Sequence, residues 1–220
     1  QAREILLLED FDSASLPSDW SHEASQGDDR WQISDQRPVA GTHSAFVSNT
    51  ADNTLSQLTS PTVAVPAGAL DLQLAFSHRY EFTGDDDDAC VLEVRRDGGT
   101  WYDVLDERSG GIFVEERYDY PYTYNILPEN DWQGDADGDG DSDNGRNAWV
   151  LHSMGIKRTN LRLDAGDWAD HDIQFRWRFT SDNANGGGGW WVDEIRLAAA
   201  IDGAGNIPPQ ITAGPTADPD

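Results

Sequence analysis

Residues Leu70 to Phe82 place Leu70, Leu72, Leu74, Phe76, His78, Tyr80 and Phe82 on one side of a period-two repeat, with Asp71, Gln73, Ser77, Arg79 and Glu81 on the other. A segment that is apolar on one face and polar on the next is a strand with a core on one side, the usual condition of an antiparallel sheet. Ile173, Phe175, Trp177 and Phe179 repeat the pattern against Gln174, Arg176, Arg178 and Thr180. The chain is therefore expected to be all-β. His78, on the apolar side, is expected to be a hydrogen-bonded core histidine rather than a metal ligand, which normally has neighbours of similar type. Arg176 and Arg178 share the outer face, where acids of a neighbouring strand are expected to pair with them in preference to a bound anion.

The stretch from Gly186 to Leu197 reads as a last core strand entered through a run of glycines. Trp191, Asp193, Ile195 and Leu197 share one parity, so a carboxylate falls where alternation predicts burial, and a buried carboxylate needs a partner. Near the start, the apolar run Ile5 to Leu8 ends in Glu9, Asp10 and Asp12 around Phe11. Two acidic strand ends close together repel unless a cation lies between them, and oxygen ligands of this type suit calcium.

These stretches carry a resemblance. Glu9 to Asp12, Leu58 to Pro61, Phe76 to Tyr80, the turn Asp97 to Trp101 and the close Gly189 to Ile195 resemble, in order and spacing, the MAM-like jelly-roll modules of secreted bacterial proteins. Those include cleaved-adhesin domains and accessory domains of exported metalloproteases, and the likeness spans roughly residues 4–199. It implies a two-sheet antiparallel jelly-roll sandwich, secreted or on the cell surface, non-catalytic, cation-stabilised, and used in adhesion or in binding glycans and proteins. Calcium would then join the first and last strands through Asp10, Asp12 and Asp193, with Glu9 and Asp182 as further candidates. Asp182 has the position of an acid common in the related modules. Residues 1–200 form the expected domain. The Asp-, Gly- and Pro-rich 201–220 resembles a linker opening a following immunoglobulin-like module, so further domains of the same polypeptide are expected.

Between these landmarks, 13–29 reads as a surface excursion carrying Trp20, while 30–34 and 43–48 read as short strands, with Gly41 suiting a tight entry to the second. Leu55 to Val65 reads as one or two strands broken at Pro61. Cys90 to Arg96 and Thr100 to Leu105 are joined by Asp97, Gly98 and Gly99, a hairpin signal, and with the 70–82 strand they are expected to form a meander. Strands are expected again at 148–152 and 160–163, with a turn at 164–168.

From about 106 to 147 the alternation lapses, giving the expected sandwich one long Asp-rich loop insertion. Tyr118, Tyr120, Tyr122 and Tyr124, four of the six tyrosines, lie in its first half. With Trp132 they are candidate platforms for a glycan or a protein partner; the alternative is that the rings cap one end of the sandwich. In its second half Asp135, Asp137, Asp139, Gly140, Asp141 and Asp143 match positions one, three, five, six, seven and nine of a calcium loop. The twelfth position is Arg146, so the closing bidentate acid is missing and the run resembles the short Asp-rich repeats of dockerins or thrombospondin type-three segments. The alternative is a solvated acidic loop.

The 220 residues carry a net charge of −26, from 41 acids and 15 bases, with Lys supplying one base. That balance argues against nucleic acid and anionic membranes as partners, and a solvated acidic surface suited to a saline habitat is its plainest reading. Cys90 is alone, so no internal disulfide forms; its thiol pKa, next to Asp85 to Asp88, should be raised, and a buried strand position is expected. No apolar run approaches the roughly 18 residues of a membrane span, and any export signal is expected to have been removed or to lie outside this sequence. There is no Gly-x-Ser-x-Gly elbow, His22 and Glu23 lack a second His at zincin spacing, and the glycines at 186–189 lack the Lys and helix of a phosphate loop. A non-catalytic module is thus the leading reading, with a structural accessory domain of an exported protease or hydrolase, or a polysaccharide-cleaving jelly roll, as alternatives.

Overall fold

The computed structural model describes residues 3–82, 88–122 and 146–201. Its strands are β1 (Arg3–Glu9), β2 (Ser21–Gln26), β3 (Trp31–Ser34), β4 (Ser44–Val47), β5 (Thr54–Thr59), β6 (Val63–Ala64), β7 (Ala69–Glu81), β8 (Ala89–Arg96), β9 (Tyr102–Asp103), β10 (Gly111–Glu115), β11 (Tyr120–Tyr122), β12 (Arg146–Val150), β13 (Lys157–Asp164), β14 (Asp172–Ser181) and β15 (Gly189–Ile201). They build an all-β sandwich of two antiparallel sheets. One has the order β10-β13-β7-β15-β4-β3, with β1 also on β15; the other has β11-β12-β8-β14-β5-β2, with β6 on β14 and β9 on β8.

The two alternating segments are the central strands of opposite sheets. On β7, Leu72, Leu74, Phe76, His78 and Tyr80 are all buried, as is Phe82 just beyond its end, whereas Leu70, at the strand's start, is half-exposed. On β14, Ile173, Phe175, Trp177 and Phe179 are fully buried. Their rings interlock across the core: Phe76 meets Trp177 edge-on at 5.6 Å and Trp149 at 5.9 Å, and Trp149 lies 6.2 Å from Trp190. Truncating one such ring to alanine costs about 3–5 kcal/mol.

His78 sits inside this aromatic core, held by directed hydrogen bonds. Trp190 Nε1, which can only donate, reaches Nδ1 at 3.2 Å, so Nε2 carries the proton toward Thr159 Oγ1 at 3.0 Å, and Thr159 donates onward to the Glu116 carbonyl. Neutral imidazole satisfies every partner, and burial holds its pKa down at about 3.

Several expectations change. β7 and β8 belong to different sheets, so the predicted meander reduces to the β8–β9 hairpin, whose turn has Asp97 and Gly98 both at positive φ. A polar strand, β2, runs through the predicted surface excursion, and Trp20 is buried against Phe11 and Trp177. The stretch 106–147 contains β10 and β11, so the loop insertion is shorter than the sequence suggested. β2 and β10 escape detection because they are edge strands, where solvent takes most of both faces and alternation fades. Cys90 is buried as expected; burial, with Asp119 second, raises its thiol pKa. No helix among the described residues is long and apolar enough to cross a membrane.

Candidate functional site

The acids expected to hold calcium are placed as follows. Asp193 is fully buried beside a bulge in β15, where pairing to β7 jumps from Asp193–Ser77 to Arg196–Ala75 and Glu194 adopts a φ of 49°. Asp193 Oδ1 accepts from the Glu194 amide at 2.7 Å, and Oδ2 accepts from Ser44 Oγ at 2.8 Å and the Ala40 amide at 3.1 Å. Burial raises its pKa to about 6 despite these donors. Asp12 grips the same turn from its other end, accepting from the Thr42 amide at 2.5 Å and Thr42 Oγ1 at 3.0 Å, and the amide bond holds its carboxyl below the ordinary range.

Glu9 and Asp10 turn onto their own chain. Glu9 accepts from the Phe11 amide and Asp10 from the Asp12 amide, while burial holds the Glu9 pKa up. Asp182 lies in a different junction: its carboxylate accepts from Ala184, and its amide donates to Asp88, which also binds Asn49. The structure thus brings Asp12 and Asp193 to one turn, 40–42, and leaves Asp182 elsewhere. Among the described residues no three His, Cys, Asp or Glu side chains form a group able to hold a metal ion. As placed, these acids serve as hydrogen-bond acceptors for the chain. Asp135, Asp137, Asp139, Asp141 and Asp143 lie outside the described residues.

Tyr118 is corrected from ligand platform to core residue. It is buried, packs edge-on against Phe113 and Trp149, and its hydroxyl bonds Leu92 and Asp103. Tyr120 and Tyr122 belong to β11, and Tyr124 and Trp132 fall outside the described residues.

A polar face that the sequence did not single out as a ligand site crosses the second sheet. Strand register aligns Glu23 with Gln57 and Arg178, and Thr59 with Arg176, Glu93 and Asp103. Arg176 Nε donates to Glu93, its Nη1 donates to Gln57 Oε1 at 3.2 Å, and Gln57 Nε2 donates to Glu23 at 2.6 Å. Arg178 reaches the other Glu93 oxygen at 3.5 Å, and Arg95 forks onto Gln174 Oε1. Pairing of the two arginines with an acid of the next strand matches the expectation, although Arg176, Arg178 and Glu93 are buried rather than solvated. Over this network lies the indole of Trp101, 4.5 Å from the Arg95 guanidinium and 4.6 Å from that of Arg176. Trp101, Arg95 and Gln174 form a partly buried rim, while Glu93, Arg176 and Arg178 form a buried floor. The visible signal was the run Arg95 to Trp101: a guanidinium, a tight hairpin turn and an aromatic ring on its return.

No family model matches the chain, and no curated protein matches it. Among solved structures the chain is similar to a carbohydrate-binding module in complex with β-1,4-galactotriose, at 11% identity and a TM-score of 0.49, covering 86% of this chain and 93% of that one. It is similar to the K1 cleaved adhesin domain of Lys-gingipain from Porphyromonas gingivalis W83, at 13% identity and a TM-score of 0.49, covering 92% and 100%. A carbohydrate-binding module that recognises mannan is similar at 10% identity and a TM-score of 0.43, covering 91% and 100%.

Proposed function

We propose that the chain is a non-catalytic glycan-binding module of a larger secreted or cell-surface protein, and that the Trp101 face is where it meets the sugar. The single observation that carries this reading is an indole packed against the guanidinium groups of Arg95 and Arg176, at 4.5 and 4.6 Å, in a network with Gln174, Gln57 and Glu23. A pyranose offers an apolar C–H face and a rim of hydroxyls that both donate and accept. An aromatic ring suits the first, and a mixed set of fixed donors and acceptors suits the second. The face is prepaid in entropy, because the arginines are already locked by Glu93, Gln174 and the indole.

Calcium belongs to the same proposal through the spacing of Asp135, Asp137, Asp139, Asp141 and Asp143, which suits oxygen ligation of one ion.

The test is retention of the purified protein on a panel of insoluble and immobilised polysaccharides, in calcium and in EDTA, with released sugars assayed. Retention without release, weakened about tenfold or more in Trp101→Ala, is expected, since one stacked ring contributes about 1–2 kcal/mol. Retention that survives Trp101→Ala unchanged overturns the site, release of sugars overturns the non-catalytic reading, and no retention supports an accessory or spacer domain. A melting temperature identical in calcium and EDTA removes the metal.

A further inference from the structure

The register of the first sheet lays out its outer face row by row. Across β10, β13, β7, β15 and β1, one row is Glu115, Asn160, Ala75, Arg196 and Leu8, and the next is Ile112, Arg162, Gln73, Ala198 and Ile5. Beyond the first row Arg158 lies beside Ser77; beyond the second, Asp164 lies beside Asp71, Ala200 and Arg3. The centre is low, because Ala75, Ala198 and Ala200 point outward there. The flanks are aliphatic, with Ile5 51% exposed, Leu8 65% and Ile112 56%. One exposed aliphatic residue is ordinary, but three flanking a floor of alanines give one face a shape and an apolar content that suit an interface.

The charges on this face differ from those of the whole chain. Four arginines, Arg3, Arg158, Arg162 and Arg196, share it with four acids, Asp71, Glu115, Asp164 and Glu194, whereas the chain carries −26. Arg3 is spent on Asp71. Arg158 and Arg162 are exposed and Arg196 partly so, and none of the three makes a hydrogen bond or an ion pair; Arg162 acts on Asp71 only at a distance. Open acceptors stand beside these open donors. Asp164 gives one oxygen to the Gly166 amide and keeps the other, and Asn160 donates its side-chain N–H to Glu115 and keeps its carbonyl oxygen. Two copies of so acidic a chain repel each other over most approaches, and a locally neutral face is where they can meet. A polyanion gains no such advantage, since it would face the four acids as well as the arginines.

We infer that this face packs against the same face of a second copy of the chain in a twofold dimer. A half-turn about a line crossing the strands between Ala75 and Gln73 exchanges the two central rows. It sets Leu8 on the partner's Ile5, Arg158 against the partner's Asp164 and Arg162 against the partner's Asn160, each contact made twice, and no like charges fall opposite each other. The strands of the two sheets then run along one another, the aligned mode of sheet packing. Five strands about 4.8 Å apart and about 20 Å of strand give a footprint of roughly 500 Å² per copy, near the lower limit for a specific interface, so the dimer is reversible. The inference does not depend on the glycan reading, whose face lies on the other sheet and stays open in the dimer.

The test is sedimentation equilibrium of the full chain up to about 1 mM, in about 0.5 M sodium chloride to screen the net charge and in EDTA to remove divalent bridges. The mass is expected to rise from that of one chain toward that of two. Leu8→Glu and Arg158→Asp should each weaken association at least about tenfold, and Arg158→Asp combined with Asp164→Arg should recover most of the loss. Met154→Ser, at a position 88% exposed away from this face, should leave association unchanged. Leu8, Arg158 and Asp164 are exposed, and the melting temperature of each variant in dilute solution checks that it is folded. A monomer at every concentration, a dimer indifferent to Leu8→Glu and Arg158→Asp, no recovery in the charge swap, or equal weakening by Met154→Ser each overturns the proposal.

Discussion

Asp193 shows what one side chain does in this fold. Its two oxygens hold the Glu194 amide of the bulge and, through Ser44 and Ala40, the turn that leads into β4. Because burial raises its pKa from 3.8 to about 6, the folded chain keeps a proton that the unfolded chain releases within that window. Its contribution to stability is therefore full below pH 3.8 and falls as pH rises through about 6, by an order of magnitude of 3 kcal/mol. Urea unfolding of the parent and Asp193→Asn across this range should show the slope in the parent and its loss in the variant; parallel curves would mean that Asp193 does not titrate this way. The burial of Asp193 was legible from its parity with Trp191 and Ile195, since period two is a local property. Its partners were not, because Ser44 and Ala40 lie 149 and 153 residues away.

At the scale of elements, the glycines that open β15 have a specific steric role where the sequence suggested only flexibility. Gly189 has a φ of 120°, and a Cβ there would meet the Val47 carbonyl at 2.2 Å and the Phe46 ring at 2.7 Å. β4 can lie against β15 in the observed register, Trp190 to Val47 and Trp191 to Phe46, only because that atom is missing. Gly98, in the β8–β9 turn, also has a positive φ of 68° but nothing within 4 Å. Gly189→Ala is expected to cost more than about 3 kcal/mol, combining overlap with backbone strain, and Gly98→Ala about 1 kcal/mol from strain alone. Chemical denaturation of both variants decides this, and equal losses would show that β4 can move aside. The hairpin at Asp97 and Gly98 was readable because turn chemistry is local, whereas the joining of β7 to β13 and β15 rather than to β8 was not.

For the whole molecule, the chain carries a charge of −26, and among the described residues Glu93 pairs with Arg176 and Arg178 out of solvent. Self-repulsion of the remaining acids should be relieved by salt, as the screening length falls from about 10 Å at 0.1 M to about 3 Å at 1 M. The melting temperature should rise by several degrees between these concentrations in sodium chloride with no divalent ion present, and an unchanged value would mean the acids are too well solvated to interact. The amino-acid sequence by itself determined the all-β class, the two central alternating strands, the buried His78 and Asp193, and the β8–β9 turn, because each follows from side chains within a few residues of one another. Only the tertiary structure decided that Trp101 covers Arg176, that Tyr118 is core, and that Arg37, Arg79 and Met154 face one cleft. Those residues meet through strand registers fixed by the packing of both sheets at once, and no period in the chain records which distant strand will lie alongside.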